Sequence, residues 1–449
     1  MNSSLYLVAG LGKTGHSIAR YLCRRNKSFV VFDTRKAPAG VVEFHAEFPG
    51  VDVFLGEIPI PIYERLTAII ASPGVALDEP SIQRAIDMGI PVMGDIECLA
   101  REVHAPIIAI TGTNGKSTVT TLVGEMAKAA GLTVAVAGNI GLPVLDLLDD
   151  GIQYDLWVLE LSSFQLDLTD SLAPIAATIL NVTPDHLDRH HTLDAYVKAK
   201  QRVYRQAEFL LYNRDDQLTL PADNQRKTGA IVNNFGLNEP TGSQWGLKTT
   251  VDNVCCLADG QTSLLPVDAM RIKGRHNWAN AMAACALAQV AGIGHNHMIN
   301  VLQRFPGLPH RSQWLRAIDE VDWINDSKGT NIGATMSAIS GIGGAMQGKI
   351  ILIAGGQGKG ADFTELRKPM ADYVRSVVLI GEDADKMEQA LTDVVHVLRA
   401  SSLDEAVIAA KLEARPGDVV LLSPACASLD MFRDFNHRGD VFAAAVDAL

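Results

Sequence analysis

Seven residues at the end of one apolar run have the types and spacing to hold a triphosphate. Ile107-Ile-Ala-Ile leads into Thr111-Gly-Thr-Asn-Gly-Lys-Ser117, after which Val119, Leu122, Val123 and Met126 recur at helical spacing until Gly131. Glycines let backbone N–H groups wrap a phosphate, and a helix N-terminus adds partial positive charge. Lys116 can then reach the outer phosphates and Ser117 can ligate Mg²⁺. The strict phosphate-loop spacing would put glycine where Ile110 stands. Two further strand-like runs end in charged residues. Val158-Leu-Glu160 stops on a carboxylate, which is costly there unless it meets a cation or a donor. Asn181-Val-Thr-Pro-Asp-His-Leu-Asp-Arg-His190 carries two carboxylates and two histidines. Glu160, His186 and Ser117 together could supply oxygen and nitrogen ligands to Mg²⁺ beside a triphosphate, although His186 alone would read as a turn cap. His190 and His191 lack a third spaced ligand for zinc and read as a solvated turn.

A second glycine-rich turn, Gly10-Leu-Gly-Lys-Thr-Gly15, also follows a strand and opens a helix, and Asp33 ends the next strand. This is the dinucleotide fingerprint with its acidic residue, and taken alone it would suggest a nicotinamide-dependent oxidoreductase. Any Rossmann-like half can hold a nucleotide in this way, so it is the weaker of the two signals. Ser72-Pro73-Gly74 is a further wall of that site or a simple turn. Near the C-terminus, Trp323 to Asn331, Ala354 to Gly360 and Leu422 to Asp430 each leave a strand through small residues, hydroxyls, amides or a lysine. Lys328 and Lys359 suit an anion, or else sit in solvated turns.

The elements that must position these residues are short apolar strands alternating with helical patterns, which predicts α/β layers with mainly parallel sheets. Leu5–Ala9, Phe29–Phe32, Ala68–Ala71, Ile107–Ile110, Leu156–Leu159, Ala177–Leu180, Ile350–Ala354, Val377–Ile380 and Val419–Leu422 are the clear strands. At 449 residues, with 47% apolar side chains, about three domains are expected. Their division is 1–94, a Rossmann-like domain; 95–307, a phosphate-loop ATPase-type domain with a β-rich excursion at 215–272; and 308–449, a second Rossmann-like domain. Phe305-Pro-Gly-Leu-Pro309 reads as the hinge into the last. The net charge of -12 and scattered Lys and Arg argue against nucleic acid. Six cysteines without paired spacing support neither zinc nor a disulfide framework. No apolar run approaches the roughly 20 residues of a membrane span. A cytoplasmic enzyme, monomeric and free of membrane, is the expectation.

These motifs resemble the Mur ligases of peptidoglycan synthesis over the whole chain and in the right order. The family patterns TGTNGK followed by Ser or Thr, NVTxDHLD, and HR with NDSKATN fall on Thr111–Ser117, Asn181–Asp188, and His310-Arg311 with Asn325–Asn331. Within the family, 160–166, 355–363 and 421–432 look most like the members that join D-glutamate to UDP-N-acetylmuramoyl-L-alanine, and the DNPR motif of the diaminopimelate-adding members is absent. The resemblance implies ATP phosphates on Gly112, Thr113, Asn114, Gly115, Lys116, Ser117 and Thr118, adenine on Asn277, and phosphate and ribose near Arg311, Asp326 and Lys328. It implies two Mg²⁺ near Ser117, Glu160, His186 and a carbamylated Lys200, with Lys198 a near competitor for that lysine. Lys116, His186, Lys200 and Arg311 would be the catalytic residues. The UDP-sugar would lie on Lys13, Thr14, Asp33, Thr34, Arg35, Gly74, Asn139 and Ser162, and D-glutamate on Thr330, Lys359, Ser428, Leu429 and Phe435. The activity so implied is ATP-dependent amide-bond formation through an acyl phosphate, with domain closure about the hinge. The rivals are another amino-acid ligase of the family, a folylpolyglutamate synthetase, an oxidoreductase and a non-catalytic nucleotide-binding protein. Two positions depart from the family: Gly329 replaces an alanine, which would loosen the turn, and Gln313 replaces an acidic residue.

Overall fold

The structure, a computed structural model, describes residues 4–344, 346–358 and 360–449. It is a three-domain α/β fold built on three sheets. The chain packs as two compact units: one runs to Gly246 and includes Asp259–Gln261 and Met282–Met298, and the other holds Leu247–Ala258, Thr262–Ala281 and Ile299–Leu449.

In the first unit, β1 (Leu5–Ala9), β2 (Ser28–Asp33), β3 (Val53–Leu55), β4 (Leu66–Ala71) and β5 (Val92–Gly94) form a parallel sheet in the order β3-β2-β1-β4-β5. Its central strands are almost continuously apolar because helices cover both faces. The order reverses between β1 and β4, so the turns after them, Gly10–Gly12 and Ser72–Gly74, flank the crevice where α/β sheets place ligands.

The same unit holds β6 (Ile107–Thr111), β7 (Val134–Gly138), β8 (Leu156–Glu160), β9 (Ala176–Ile179), β10 (Phe209–Asn213) and β11 (Ile231–Phe235), parallel in the order β11-β10-β9-β6-β8-β7. β6 lies between β8 and β9, so the turns leaving all three open side by side. One continuous core joins the two sheets, with Leu22 and Phe44 from the first and Leu99, Leu145 and Leu159 from the second. The expected β-rich excursion is present as β11 and then β12 (Trp245–Thr249), β13 (Cys255–Asp259) and β14 (Thr262–Pro266).

In the second unit, β15 (Gln313–Ile318), β16 (Val321–Asn325), β17 (Ile350–Gly355), β18 (Val374–Ile380), β19 (His396–Arg399) and β20 (Val419–Leu422) order as β15-β16-β20-β17-β18-β19, with β15 antiparallel to the rest. Separate apolar cores pack on its two faces. The turns leaving β16, β20 and β17 emerge next to one another. Among the described residues no helix is long and apolar enough to cross a membrane.

Candidate active site

The turn after β6 closes on a left-handed residue, Gly115 with φ 81°, which caps the helix Lys116–Ala129; a side-chain-bearing residue would be strained there. Asn181, leaving β9, staples this turn: its Oδ1 accepts from Asn114 N at 2.8 Å and its Nδ2 donates to Asn114 O at 3.0 Å. Two lysines meet at the turn's first carbonyl. Lys116 Nζ donates to Gly112 O at 3.0 Å and Thr113 O at 2.9 Å, and Lys200 Nζ donates to Gly112 O at 2.8 Å. Lys200 is 1% exposed, and Tyr196 lays its ring 4.4 Å from the amine. Burial, reinforced by the nearby charge of Lys116, pushes the Lys200 amine down to about 6, while Asp185 and Glu160 pull it the other way. Lys198, its neighbour in the sequence, is exposed, so the buried position is the one at the phosphate turn. Ser117 is buried in the first helical turn and Thr118 is half-buried.

Glu160, at the end of β8, is 1% exposed. Its Oε1 accepts from Asn139 Nδ2 at 2.8 Å, and its buried Oε2 has no hydrogen-bond partner among the described residues. A buried carboxylate oxygen left in that state fits a hard cation such as Mg²⁺, although among the described residues no three His, Cys, Asp or Glu side chains gather as a metal site. His186 caps a short helix at φ 52°, half-exposed, with Nε2 3.6 Å from Asp185 and its ring packed edge-on against Phe164. His190 is not merely a solvated turn residue: it stacks on Phe164 and pairs with Ser163 Oγ at 2.9 Å. Ser162 caps the following helix through a reciprocal pair with Gln165.

The other glycine turn lines a pocket of about 570 Å³ bounded by Gly10–Thr14, Asp33–Arg35, Ser72–Val75, Gly138, Asn139 and Gln165. Seven of the eight residues expected to hold a UDP-sugar line it, Ser162 being the exception; Ser72 to Gly74 are thus a wall and not only a turn. Gly15 is required by crowding, since a Cβ there would lie 1.8 Å from the Gly10 carbonyl oxygen. Asp33 Oδ2 accepts from Leu11 N at 2.8 Å, and Arg35 Nε and Nη2 chelate the carboxylate at 2.8 Å each. Burial would raise this carboxyl, but Arg35 and the backbone donors overcome it and bring it down to about 2.

In the second unit, Arg311 stands at the apex of a turn held by two left-handed non-glycine residues, His310 (φ 61°) and Ser312 (φ 43°). Gln313 Oε1 accepts from His310 N at 3.1 Å, so the residue that departs from the family pattern acts as a neutral acceptor for this turn. Asp326 is buried; it accepts from Ser312 N at 3.0 Å and from Ser423 Oγ at 2.8 Å, and burial pushes its carboxyl up to about 6. Gly329 corrects the reading of a loosened turn: a Cβ there would meet Ser423 Oγ at 2.6 Å and Asp326 Oδ2 at 2.7 Å, so glycine leaves room for that hydrogen bond. Lys328 Nζ lies 3.9 Å from the Phe435 ring centre, which brings together two residues assigned to different ligands. Ser428 is buried and Leu429 is exposed in the turn after β20, and Thr330 is half-buried after β16. Asn277 is buried, bonded to Lys273 O and to Asn280. Lys359 lies outside the described residues.

Sequence reasoning did not single out Asn181, Tyr196 or Gln165. Asn181 and Gln165 were inside quoted motifs, and their role as staple and pocket wall depends on which strands are neighbours.

Comparison with known proteins bears on this geometry. The chain matches family models described as the Mur ligase MurD-like N-terminal domain over residues 4–94, the Mur ligase middle domain over 110–288 and the Mur ligase glutamate ligase domain over 310–426. It is 66% identical to a protein of Legionella pneumophila named UDP-N-acetylmuramoylalanine–D-glutamate ligase, over 100% of both chains. A Pseudomonas fluorescens protein of the same name is 47% identical over 99% of this chain and 98% of its own. Among solved structures, a UDP-N-acetylmuramoyl-L-alanyl-D-glutamate–2,6-diaminopimelate ligase superposes with a TM-score of 0.59 at 18% identity, covering 99% of this chain and 92% of its own. MurF ligase from Thermotoga maritima in complex with ADP gives a TM-score of 0.57 at 16% identity, over 100% and 96%. At those identities the structures establish the fold, whereas the full-length relatives and the three domain matches establish that this chain belongs to the Mur ligase family.

Proposed function

We propose that this protein is an ATP- and Mg²⁺-dependent ligase that joins D-glutamate to the L-alanyl carboxylate of UDP-N-acetylmuramoyl-L-alanine, a cytoplasmic step of peptidoglycan precursor synthesis. The observation that carries the chemistry is the meeting of Lys116 and Lys200 on the Gly112 carbonyl, in a sheet end where Glu160 keeps one buried oxygen unpartnered. The substrate assignment is supported by the relatives that align with the chain end to end. The division 1–94, 95–307 and 308–449 is part of the same reading.

In this mechanism the substrate carboxylate attacks the γ-phosphorus of ATP, the bond to ADP breaks, and an acyl phosphate forms. The Gly112–Thr118 turn directs its N–H groups and Lys116 at the phosphates, with Arg311 as a second cation; Asn277, Asp326 and Lys328 bind the rest of the nucleotide. Ser117, Glu160, His186 and Lys200 would hold two Mg²⁺, which neutralise charge on the phosphates when bound. Lys200 would do so as a carbamate, since burial and the charge of Lys116 favour its neutral amine, the form that adds carbon dioxide and then loses a proton. The D-glutamate amine, with its carboxylates held near Thr330, Lys359, Ser428, Leu429 and Phe435, attacks the acyl carbon. The tetrahedral adduct loses phosphate and the nitrogen loses its proton, leaving the amide. Lys13, Thr14, Asp33, Thr34, Arg35, Gly74 and Asn139, with Ser162 beyond them, bind the UDP-sugar. The engagement of Asp33 by Leu11 and Arg35 weighs against a nicotinamide enzyme, in which that carboxylate would take a ribose hydroxyl.

The test is phosphate release from Mg·ATP with UDP-N-acetylmuramoyl-L-alanine, adding D-glutamate, L-glutamate, L-lysine or meso-diaminopimelate in turn. Release with D-glutamate alone is expected. Release with another amino acid keeps the ligase and overturns the acceptor, and no release with any of them overturns the ligase.

A further inference from the structure

The helix Lys13–Arg24 starts at the UDP-substrate pocket and ends, about 18 Å away at the rise of an α-helix, in a cluster of arginines. Arg20 chelates Asp146, with Nε to Oδ1 at 2.9 Å and Nη2 to Oδ2 at 2.6 Å, and its Nη1 donates to Glu47 at 3.1 and 3.3 Å. Arg24 Nε donates to Asp149 Oδ2 at 2.7 Å. Arg25 spans two acceptors, donating to Glu102 Oε1 at 2.8 Å and to Asp149 at 2.9 and 3.1 Å, while its guanidinium lies 3.7 Å over the Tyr21 ring. Tyr21 OH donates to Glu102 at 2.6 Å and closes the set. Arg25 holds Glu102 below the usual carboxylate range, and burial at Asp149 is overcome by Arg25 and Arg24 in the same direction.

Two of the acceptors, Asp146 and Asp149, belong to one short element of the neighbouring domain. Asp146 lies in the helix Val144–Leu148 and Asp149 caps it, and the chain entering that helix comes directly from Gly138 and Asn139, which wall the same pocket as Lys13 and Thr14. The three arginines therefore follow the Gly12–Thr14 wall, and Asp146 and Asp149 follow the Gly138–Asn139 wall, while Glu102, just after the helix Asp95–Ala100, braces Arg25 without leading to a wall. Isolated surface ion pairs fix little, but bidentate arginines sharing acceptors define a geometry.

We infer that the Arg20, Arg24 and Arg25 cluster with Glu102, Asp146 and Asp149 is a positioning group for the UDP-substrate: it sets the separation of the Gly12–Thr14 and Gly138–Asn139 walls without touching the ligand. This rests on the reading of that pocket as the UDP-substrate site. It acts on the affinity for one substrate out of three, which a purely stabilising role would not do.

The experiment compares the wild type with Arg20→Ala, Arg20→Lys, Asp149→Asn and the exchange Arg20→Asp with Asp146→Arg, by steady-state kinetics, thermal melting and calorimetric titration with UDP-N-acetylmuramoyl-L-alanine. In Arg20→Ala and Asp149→Asn the KM and Kd for the UDP-substrate should rise roughly tenfold, with kcat and the KM values for ATP and D-glutamate within about twofold of wild type. Arg20→Lys, which keeps charge but loses chelation, should rise roughly threefold, and the exchange, which sets a carboxylate at position 20 opposite Glu47, should recover part of the loss. Should the alanine variant fail to fold, Arg20→Lys and the exchange decide by the same criterion. An unchanged KM in folded variants, or losses spread equally over all three substrates, overturns the inference. A wild type that does not bind the UDP-substrate overturns the pocket reading and this inference with it.

Discussion

Gly112–Ser117 and Gly10–Gly15 both leave a parallel strand and open a helix, yet their surroundings set them to different work. In the first, Lys116 lies folded onto two carbonyls of its own turn, beside a second buried lysine and Glu160. In the second, Lys13 is exposed, and Asp33, the carboxylate bonded to the turn at Leu11, is already chelated by Arg35. One turn gathers charges that a reacting phosphate can use. The other is finished internally and offers a shaped wall, as binding without reaction requires. A glycine pattern therefore names a phosphate site, and the ends of the adjacent strands decide what happens to the phosphate.

Breaking the comparison at its reactive end should have the largest effect. Lys116→Ala should lower phosphate release by roughly a thousandfold, the scale of losing a principal electrostatic donor, while calorimetry still detects the UDP-substrate at wild-type affinity. Lys200→Ala should cost roughly a hundredfold in kcat, as loss of a metal-supporting group does, and labelled bicarbonate should give a carbamate signal in the wild type that the variant lacks. At the binding end the expectation reverses. Asp33→Ala should raise the KM for the UDP-substrate by roughly tenfold, worth about 1.4 kcal/mol, and leave the KM for ATP unchanged. Equal effects of Lys116→Ala and Asp33→Ala on both substrates would remove the distinction between the loops.

The last effect lies outside both loops, should leave activity least changed, and concerns stability. The folded Asp326 carboxyl titrates at about 6 against an ordinary 3.8, so the native state binds the proton more tightly than the unfolded chain. Its contribution is fully present below the unfolded value and is lost as pH rises through about 6, about 3 kcal/mol at two pKa units. Melting temperatures of the wild type should therefore fall by a few degrees relative to Asp326→Asn between pH 4 and 7, and parallel curves would contradict the assigned cause.

Much of the fold was legible because buried parallel strands are short, almost continuously apolar runs. All nine clear strand candidates fall on strands, with β9 one residue earlier than expected and β2, β4 and β18 beginning sooner, at Ser28, Leu66 and Val374. Several missed strands are those where that signal fades: β7 alternates valine with alanine, β3 and β5 have three residues each, and β19 is partly exposed at a sheet edge; β10, Phe-Leu-Leu-Tyr-Asn, was missed although it carries the apolar signal. The phosphate turn and the glycine fingerprint were legible since glycine there answers a local backbone demand. Tyr196 over Lys200, Asn181 across from Asn114 and Gln313 behind Arg311 were not, because each acts through a partner set by strand order or a turn. The burial of Glu160 was anticipated from its place at a strand end; its unpartnered oxygen could be found only in three dimensions.

The most direct test of the account follows the oxygen that an acyl phosphate must hand over. With heavy oxygen in the L-alanyl carboxylate of UDP-N-acetylmuramoyl-L-alanine, turnover with Mg·ATP and D-glutamate should place one labelled oxygen in each phosphate released, with one amide formed per phosphate. Unlabelled phosphate, or labelled phosphate without an amide of D-glutamate, would contradict it.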